Sequence, residues 1–227
     1  MKIAVLGTGV VGQTLAAKLS ELDHEVMIGC RNTTEVLARN KPDNFGRPPF
    51  KEWLAKYEEI KLGTFGVAAE LGELIINATN GMGTMEALKL AGKKNLNNKI
   101  ILDVSNPLDF SKGFPPTLFV CNTDSLAEQI QREYPDAKVV KSLNTMNAYV
   151  ITNPSVVPGD HNVFVNGNDD LAKIKVKELL NSFGWKNENI IDMGDIKTAR
   201  GTEMYVFFWA MLYGTFQTGN FNIKIVK

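Results

Sequence analysis

Short apolar runs that end in glycine or a small polar residue alternate with stretches whose apolar positions recur every three or four residues. Lys2–Leu6 (KIAVL) is such a run and predicts a buried parallel strand. Val10–Leu22 follows with Val11, Leu15, Leu19 and Leu22 on one face and predicts a helix. The alternation continues with strands at Glu25–Ile28, Glu59–Leu62, Leu74–Ala78, Lys99–Val104 and Lys138–Ser142. Helices are expected at Thr33–Arg39, around Trp53 and Leu54, and at Thr64–Leu71, Thr84–Ala91 and Ser125–Arg132. A loop with Pro42, Pro48 and Pro49 precedes the Trp53 helix. After Asn144 come a strand at Asn162–Asn166, a helix at Leu171–Phe183 and a strand at Asn189–Met193. The apolar helix Ala199–Phe216 and an extended tail, Asn222–Val226, close the chain. This βαβ rhythm predicts a mostly parallel sheet with helices on both faces.

Gly7-Thr8-Gly9-Val10-Val11-Gly12 matches GxGxxG, follows a strand and opens a helix inside the first βαβ unit. Gly7 permits the tight turn, Gly9 lets a pyrophosphate reach the backbone, and Gly12 lets helix and strand pack closely. The helix start adds free N–H groups and partial positive charge. The expected fold is therefore α/β, a Rossmann-type doubly wound sheet. Residues 1–194 form the dinucleotide domain and 195–227 a C-terminal helical extension packed on it.

The second strand ends in Gly29-Cys30-Arg31-Asn32-Thr33, with no Asp or Glu to take a ribose 2′-hydroxyl. Arg31 suits a 2′-phosphate, and Cys30, Asn32 and Thr33 can add hydrogen bonds, so NADP(H) is the expected cofactor. Further loops follow the parallel strands: Thr79-Asn80-Gly81, Ser105-Asn106-Pro107 and, after Ser142, Leu143-Asn144-Thr145-Met146. Asn106 and Asn144 either hold the nicotinamide half or cap turns.

Composition changes little in this picture. Hydrophobic residues at 44% suffice for a core, which excludes disorder as the main state. Twenty-five basic residues balance 25 acidic ones, which argues against a nucleic-acid partner. Two cysteines without a CxxC, and His24 far from His161, predict neither disulfide framework nor metal centre. The most apolar window, residues 205–216, falls short of the ~18 residues of a membrane span, so no membrane partner and a cytoplasmic address are expected.

The pieces AVLGTGVVG, HEVMIGCRN, KIILDVSNP, KVVKSLNTM and GNFNIKIVK give the chain a resemblance to a known family. It resembles the NADPH-dependent oxidoreductases that reduce the deazaflavin coenzyme F420, and is similar to the reductase domain of six-transmembrane metalloreductases. The resemblance implies pyrophosphate contacts at Thr8, Gly9, Val10 and Val11, and 2′-phosphate contacts at Cys30 and Arg31. It places Thr79, Asn106 and Ser142 on the nicotinamide half. Glu35 stands where those reductases carry a lysine, Thr79-Asn80-Gly81 replaces their Ile-Pro-Trp type loop, and the insertion Pro42–Trp53 is foreign to them.

Two functions use such a cradle. One is an oxidoreductase passing a hydride between NADPH and an F420 or flavin acceptor. The other is a non-catalytic NADP(H)-binding redox sensor. No catalytic acid–base residue is assigned, because the cofactors carry hydride chemistry. The Ala199–Tyr205 stretch lacks the lysine of β-hydroxyacid dehydrogenases. Met146, Trp53, Phe207, Phe208 and Trp209 are candidates for the acceptor's apolar wall. Apolar residues surround the last helix on most sides, so a homodimer built on it is expected.

Overall fold

The computed structural model describes residues 1–42 and 46–227. Part of the Pro42–Trp53 insertion thus lies outside the described residues. The first half of the chain builds β1 (Lys2–Leu6), α1 (Val10–Glu21), β2 (Glu25–Cys30), α2 (Thr33–Ala38), α3 (Phe50–Leu54), β3 (Lys61–Thr64), α4 (Phe65–Leu71), β4 (Leu74–Asn77) and α5 (Gly81–Ala91). Then come α6 (Lys93–Leu96), β5 (Ile100–Asp103), the hairpin β6 (Leu108–Asp109) and β7 (Thr117–Leu118), α7 (Leu126–Glu133), β8 (Lys138–Ser142) and α8 (Ala148–Thr152). The chain ends with β9 (Val163–Gly167), α9 (Asp170–Ser182), β10 (Ile190–Asp192) and α10 (Ala199–Phe216).

Eight strands form one sheet in the order β10-β9-β8-β5-β4-β1-β2-β3. β1 and β4 are neighbours, so the chain changes direction of winding between them. That switch point opens a crevice at the carboxyl ends of the strands. All pairs are parallel except β8–β9, where Ser142 faces Val165. β10 again runs parallel to β9. The central strands are buried on both faces, which explains their continuous apolar composition. One core includes Ile3, Val5, Leu15 and Leu19; the other includes Ala4, Leu6, Leu88 and Ile101.

The alternation predicted from sequence matches this order, with three short additions. α6, α8 and the β6–β7 hairpin are too brief to leave a periodic signal. α5 starts at Gly81 instead of Thr84, because Asn80 Oδ1 caps it by accepting from Met82 N at 3.0 Å. The tail after α10 is extended and fastened, with Asn162 N donating to Ile223 O at 2.8 Å. Among the described residues no helix is long and apolar enough to cross a membrane.

Candidate cofactor site

The β1–α1 turn is shaped by its three glycines. Gly7 has φ +122°, a region hostile to side chains, and a Cβ there would sit 2.5 Å from Ala78 O. A Cβ on Gly12 would collide with Gly7 O. Gly9 differs, because a Cβ built on it meets nothing within 4 Å. The backbone at Gly9 therefore faces open space, the approach a pyrophosphate needs. Gln13, absent from the sequence-based set, props the turn by donating from Nε2 to Thr8 O at 2.8 Å.

The turn opens into a cleft of about 1000 Å³ that extends from Thr8 and Gly9 to the end of β2. Cys30, Arg31 and Asn32 line it, whereas Thr33 is the first residue of α2. Cys30 is buried and donates its thiol hydrogen to Gly63 O at 3.5 Å. Burial pushes its thiol up, which disfavours the reactive thiolate, and Cys30 forms part of the cleft wall. Asn32 caps α2. Its Oδ1 accepts from Glu35 N, and its Nδ2 donates to Glu35 Oε1, both at 3.1 Å. Glu35, the first carboxylate after β2 in sequence, is thereby engaged.

A second recess of about 180 Å³ continues past Ala78, Thr79 and Asn80. Val11, Gly81, Ser105, Asn106 and Phe110 also line it. Gly81 is required where it stands, since a Cβ would strike Asn106 O, and it packs on Pro107. Thr79 Oγ1 donates to Asn77 Oδ1 at 2.7 Å, and Asn77 Nδ2 donates to Asp103 Oδ1 at 2.7 Å. Asn106 and Asn144 bond to each other: Asn106 Nδ2 donates to Asn144 O at 2.8 Å, and Asn144 Nδ2 donates to Asn106 Oδ1 at 2.9 Å. Asn144 also donates to Thr202 O at 3.1 Å, and it is buried. Its amide joins the β5 and β8 loops to α10, while Asn106 reaches the recess. Ser142 lies in the β8–β9 ladder, where its hydroxyl donates to Phe164 O at 2.6 Å. The candidate residues thus gather around two connected hollows, with Ser142 and Asn144 behind them. Trp53 lines a separate groove along α1, tilted against Tyr57 with ring centroids 4.8 Å apart.

Behind the recess stands a buried ion cluster. Lys141 Nζ reaches Asp103 Oδ2 at 2.7 Å, Glu203 Oε1 at 2.9 Å and Ser105 O at 2.5 Å. Lys141 and Asp103 are wholly buried, and Glu203 almost so. Burial alone would lower the Lys141 pKa, but the two carboxylates reverse this and hold it above its ordinary value. Glu203 also accepts from Leu126 N and Ala127 N, the first amides of α7, at 2.8 and 3.0 Å. Arg200 adds a bidentate pair to Glu128 at 2.8 and 2.6 Å. The cluster ties the loop carrying Ser105 and Asn106 to α10. Its sequence signal was a charge inside each of two apolar strands, IILD and KVVKS.

A family described as NADP oxidoreductase, coenzyme F420-dependent, matches residues 2–107. The crystal structure of a candidate F420-dependent NADP reductase from Arthrobacter sp. FB24 is 52% identical, covers 100% of both chains and superposes with a TM-score of 0.95. The metalloreductase STEAP3 of Rattus norvegicus is 26% identical over 202 residues, which are 89% of this chain and 36% of that protein. The chain thus spans about a third of that curated relative's length. An imine reductase of Streptomyces aurantiacus shares the fold, at 16% identity and a TM-score of 0.61 over 93% of this chain and 63% of its own. The resemblance drawn from the sequence motifs is thereby borne out, and the chain belongs to the coenzyme F420-dependent NADP oxidoreductase family.

Proposed function

We propose that the chain moves a hydride between NADPH and a planar deazaflavin or flavin acceptor, at the recess bounded by Thr79, Ser105, Asn106 and Phe110. The observation that carries this reading is the continuity of the two hollows. A cation-lined cleft at the end of β2 runs past an open glycine turn into a recess with no ionisable side chain among the described lining residues. NADPH, when bound, supplies the hydride. The chain's own part is to hold and orient. The amides of Thr8 to Val11 take the pyrophosphate, and Arg31 takes the 2′-phosphate. Thr79 and Asn106 orient the nicotinamide half, with Asn80, Gly81 and Pro107 shaping the floor. Phe110, 53% exposed at the mouth of the recess, supplies apolar surface for the acceptor. Such a transfer asks for stacking, distance and exclusion of water, and for little acid–base help.

Anaerobic mixing of the protein and NADPH with F420, FMN and FAD in turn tests the reading. Oxidation of NADPH by one of them supports it. No oxidation with any of the three, despite tight NADPH binding, favours the redox-sensor role instead.

The cradle itself has a cleaner test. A Gly9→Ala methyl touches no protein atom, and φ −75° at Gly9 suits alanine, so the melting temperature should stay put. Affinity for NADPH and NADH should fall together by about tenfold or more, because the methyl fills the pyrophosphate's approach. Unchanged affinity in calorimetry would remove the cradle from this turn.

The same proposal includes self-association. α10 turns Thr202, Glu203, Val206 and Ala210 inward and leaves Phe207, Phe208, Met211 and Phe216 exposed at 41% to 56%. A second copy about a two-fold axis lays this row against itself. Light scattering at micromolar concentration should give a dimer for the intact chain and a monomer for Phe208→Glu. A monomeric mass for the intact chain would sink the dimer.

A further inference from the structure

The end of the cleft farthest from the recess carries more positive charge than one arginine explains. Arg31 and Arg39 both line it, together with Lys41 and Arg47, and Glu35 is the one carboxylate among the described lining residues. Arg31 follows the last residue of β2, and Arg39 is the residue that ends α2. α2 has only six residues, so the two arginines stand at opposite ends of a helix ~9 Å long. Two arginine side chains at that separation can close on one anion from both sides.

Three further observations bring Arg39 to this place. Arg39 and Cys30 line the same cleft, and the positive charge of Arg39 opposes the upward push of burial on the Cys30 thiol, so the guanidinium is within electrostatic reach of the end of β2. Among the described residues, neither Arg31 nor Arg39 has a carboxylate or hydrogen-bonded partner for its guanidinium. The chain leaving Arg39 is held too, since Lys51 Nζ of α3 donates to Asn40 Oδ1. Glu35, meanwhile, is held by Asn32 in the cap of α2.

We infer that Arg39 is the second guanidinium of the 2′-phosphate site, gripping from α2 the group that Arg31 grips from β2. The inference rests on the NADPH reading above and deepens it, because it names a residue that sets the choice of cofactor.

Calorimetry with adenosine 2′,5′-bisphosphate and with 5′-AMP tests this without any turnover. Arg39→Met keeps the apolar stem, removes the charge and lies on the surface, so the variant should fold as the parent does. It should bind adenosine 2′,5′-bisphosphate and NADPH about tenfold more weakly, and 5′-AMP and NADH as before. Arg39→Lys should restore part of the loss. If Arg31→Met weakens the bisphosphate and Arg39→Met does not, the site has one arm and the inference is overturned. If neither variant weakens it while Gly9→Ala still weakens NADPH, the 2′-phosphate lies elsewhere and this inference falls, but the cradle stands. If none of the three variants has an effect, the NADPH reading itself fails.

Discussion

Lys141→Met should cost about 3–5 kcal/mol of folding stability, the usual penalty for stripping one partner from a buried ion pair. Lys141 is the counter-charge for Asp103 and Glu203, and neither carboxylate reaches water. Removing it leaves two negative groups facing each other in a dry interior. Against a typical total of ~5–15 kcal/mol, that loss should lower the melting temperature by about 10 °C or more. Double Lys141→Met/Glu203→Gln should be less destabilised than the two single losses added, because the uncompensated charge is reduced. Thermal unfolding followed by circular dichroism reads all three. A Lys141→Met protein within ~1 kcal/mol of the parent would show that the cluster contributes no net stability. The pH dependence has a definite sign. The folded pKa of Lys141 is raised, so its contribution is complete below the ordinary value of 10.5 and is lost as pH climbs through the raised one.

Arg31→Ala should weaken NADPH ten- to a hundredfold and spare NADH. A charge-assisted hydrogen bond is worth roughly 1.5–3 kcal/mol, and each ~1.4 kcal/mol is a factor of ten. Arg31 is exposed at the end of β2, and its loss disturbs no packed neighbour. The position a ribose-binding Asp or Glu would hold is taken by Cys30 and Arg31, and the Glu35 carboxylate is engaged with Asn32. Fluorescence titration with the two cofactors decides it. Equal losses for both would mean that Arg31 reads the adenine or nothing at all.

Much of this architecture was legible in the chain itself. β1, α1 and β2 are long, periodic and bounded by glycine or a turn, so hydrophobic pattern and tertiary structure agree on them. The glycine turn was legible because each glycine answers a steric demand that no other residue meets. The β6–β7 hairpin and α8 were not, because two strand residues or one helical turn carry no periodicity. The roles of Asn106 and Asn144 stayed open for a different reason. An asparagine in a loop has the same sequence signature whether its amide faces a ligand or another loop, and these two are bound to each other across 38 positions. The Lys141 cluster joins three elements far apart in sequence, and only the fold could bring Glu203 to it.

The one antiparallel step in the sheet decides the course of α10. β9 runs against β8, and β10 keeps its heading, so the chain leaves β10 pointing away from the rim that bears the glycine turn. The next helix must travel back. α10 accordingly passes Asn144 at Thr202 and comes beside Phe114, of the segment that joins β6 to β7, at Gly214. Had the sheet stayed parallel throughout, the last helix would have begun at that rim and run off toward the opposite one. A single change of parity thus delivers the aromatic surface of α10 to the rim that bears Asn144, and the tail that follows is fastened to Asn162, just before β9.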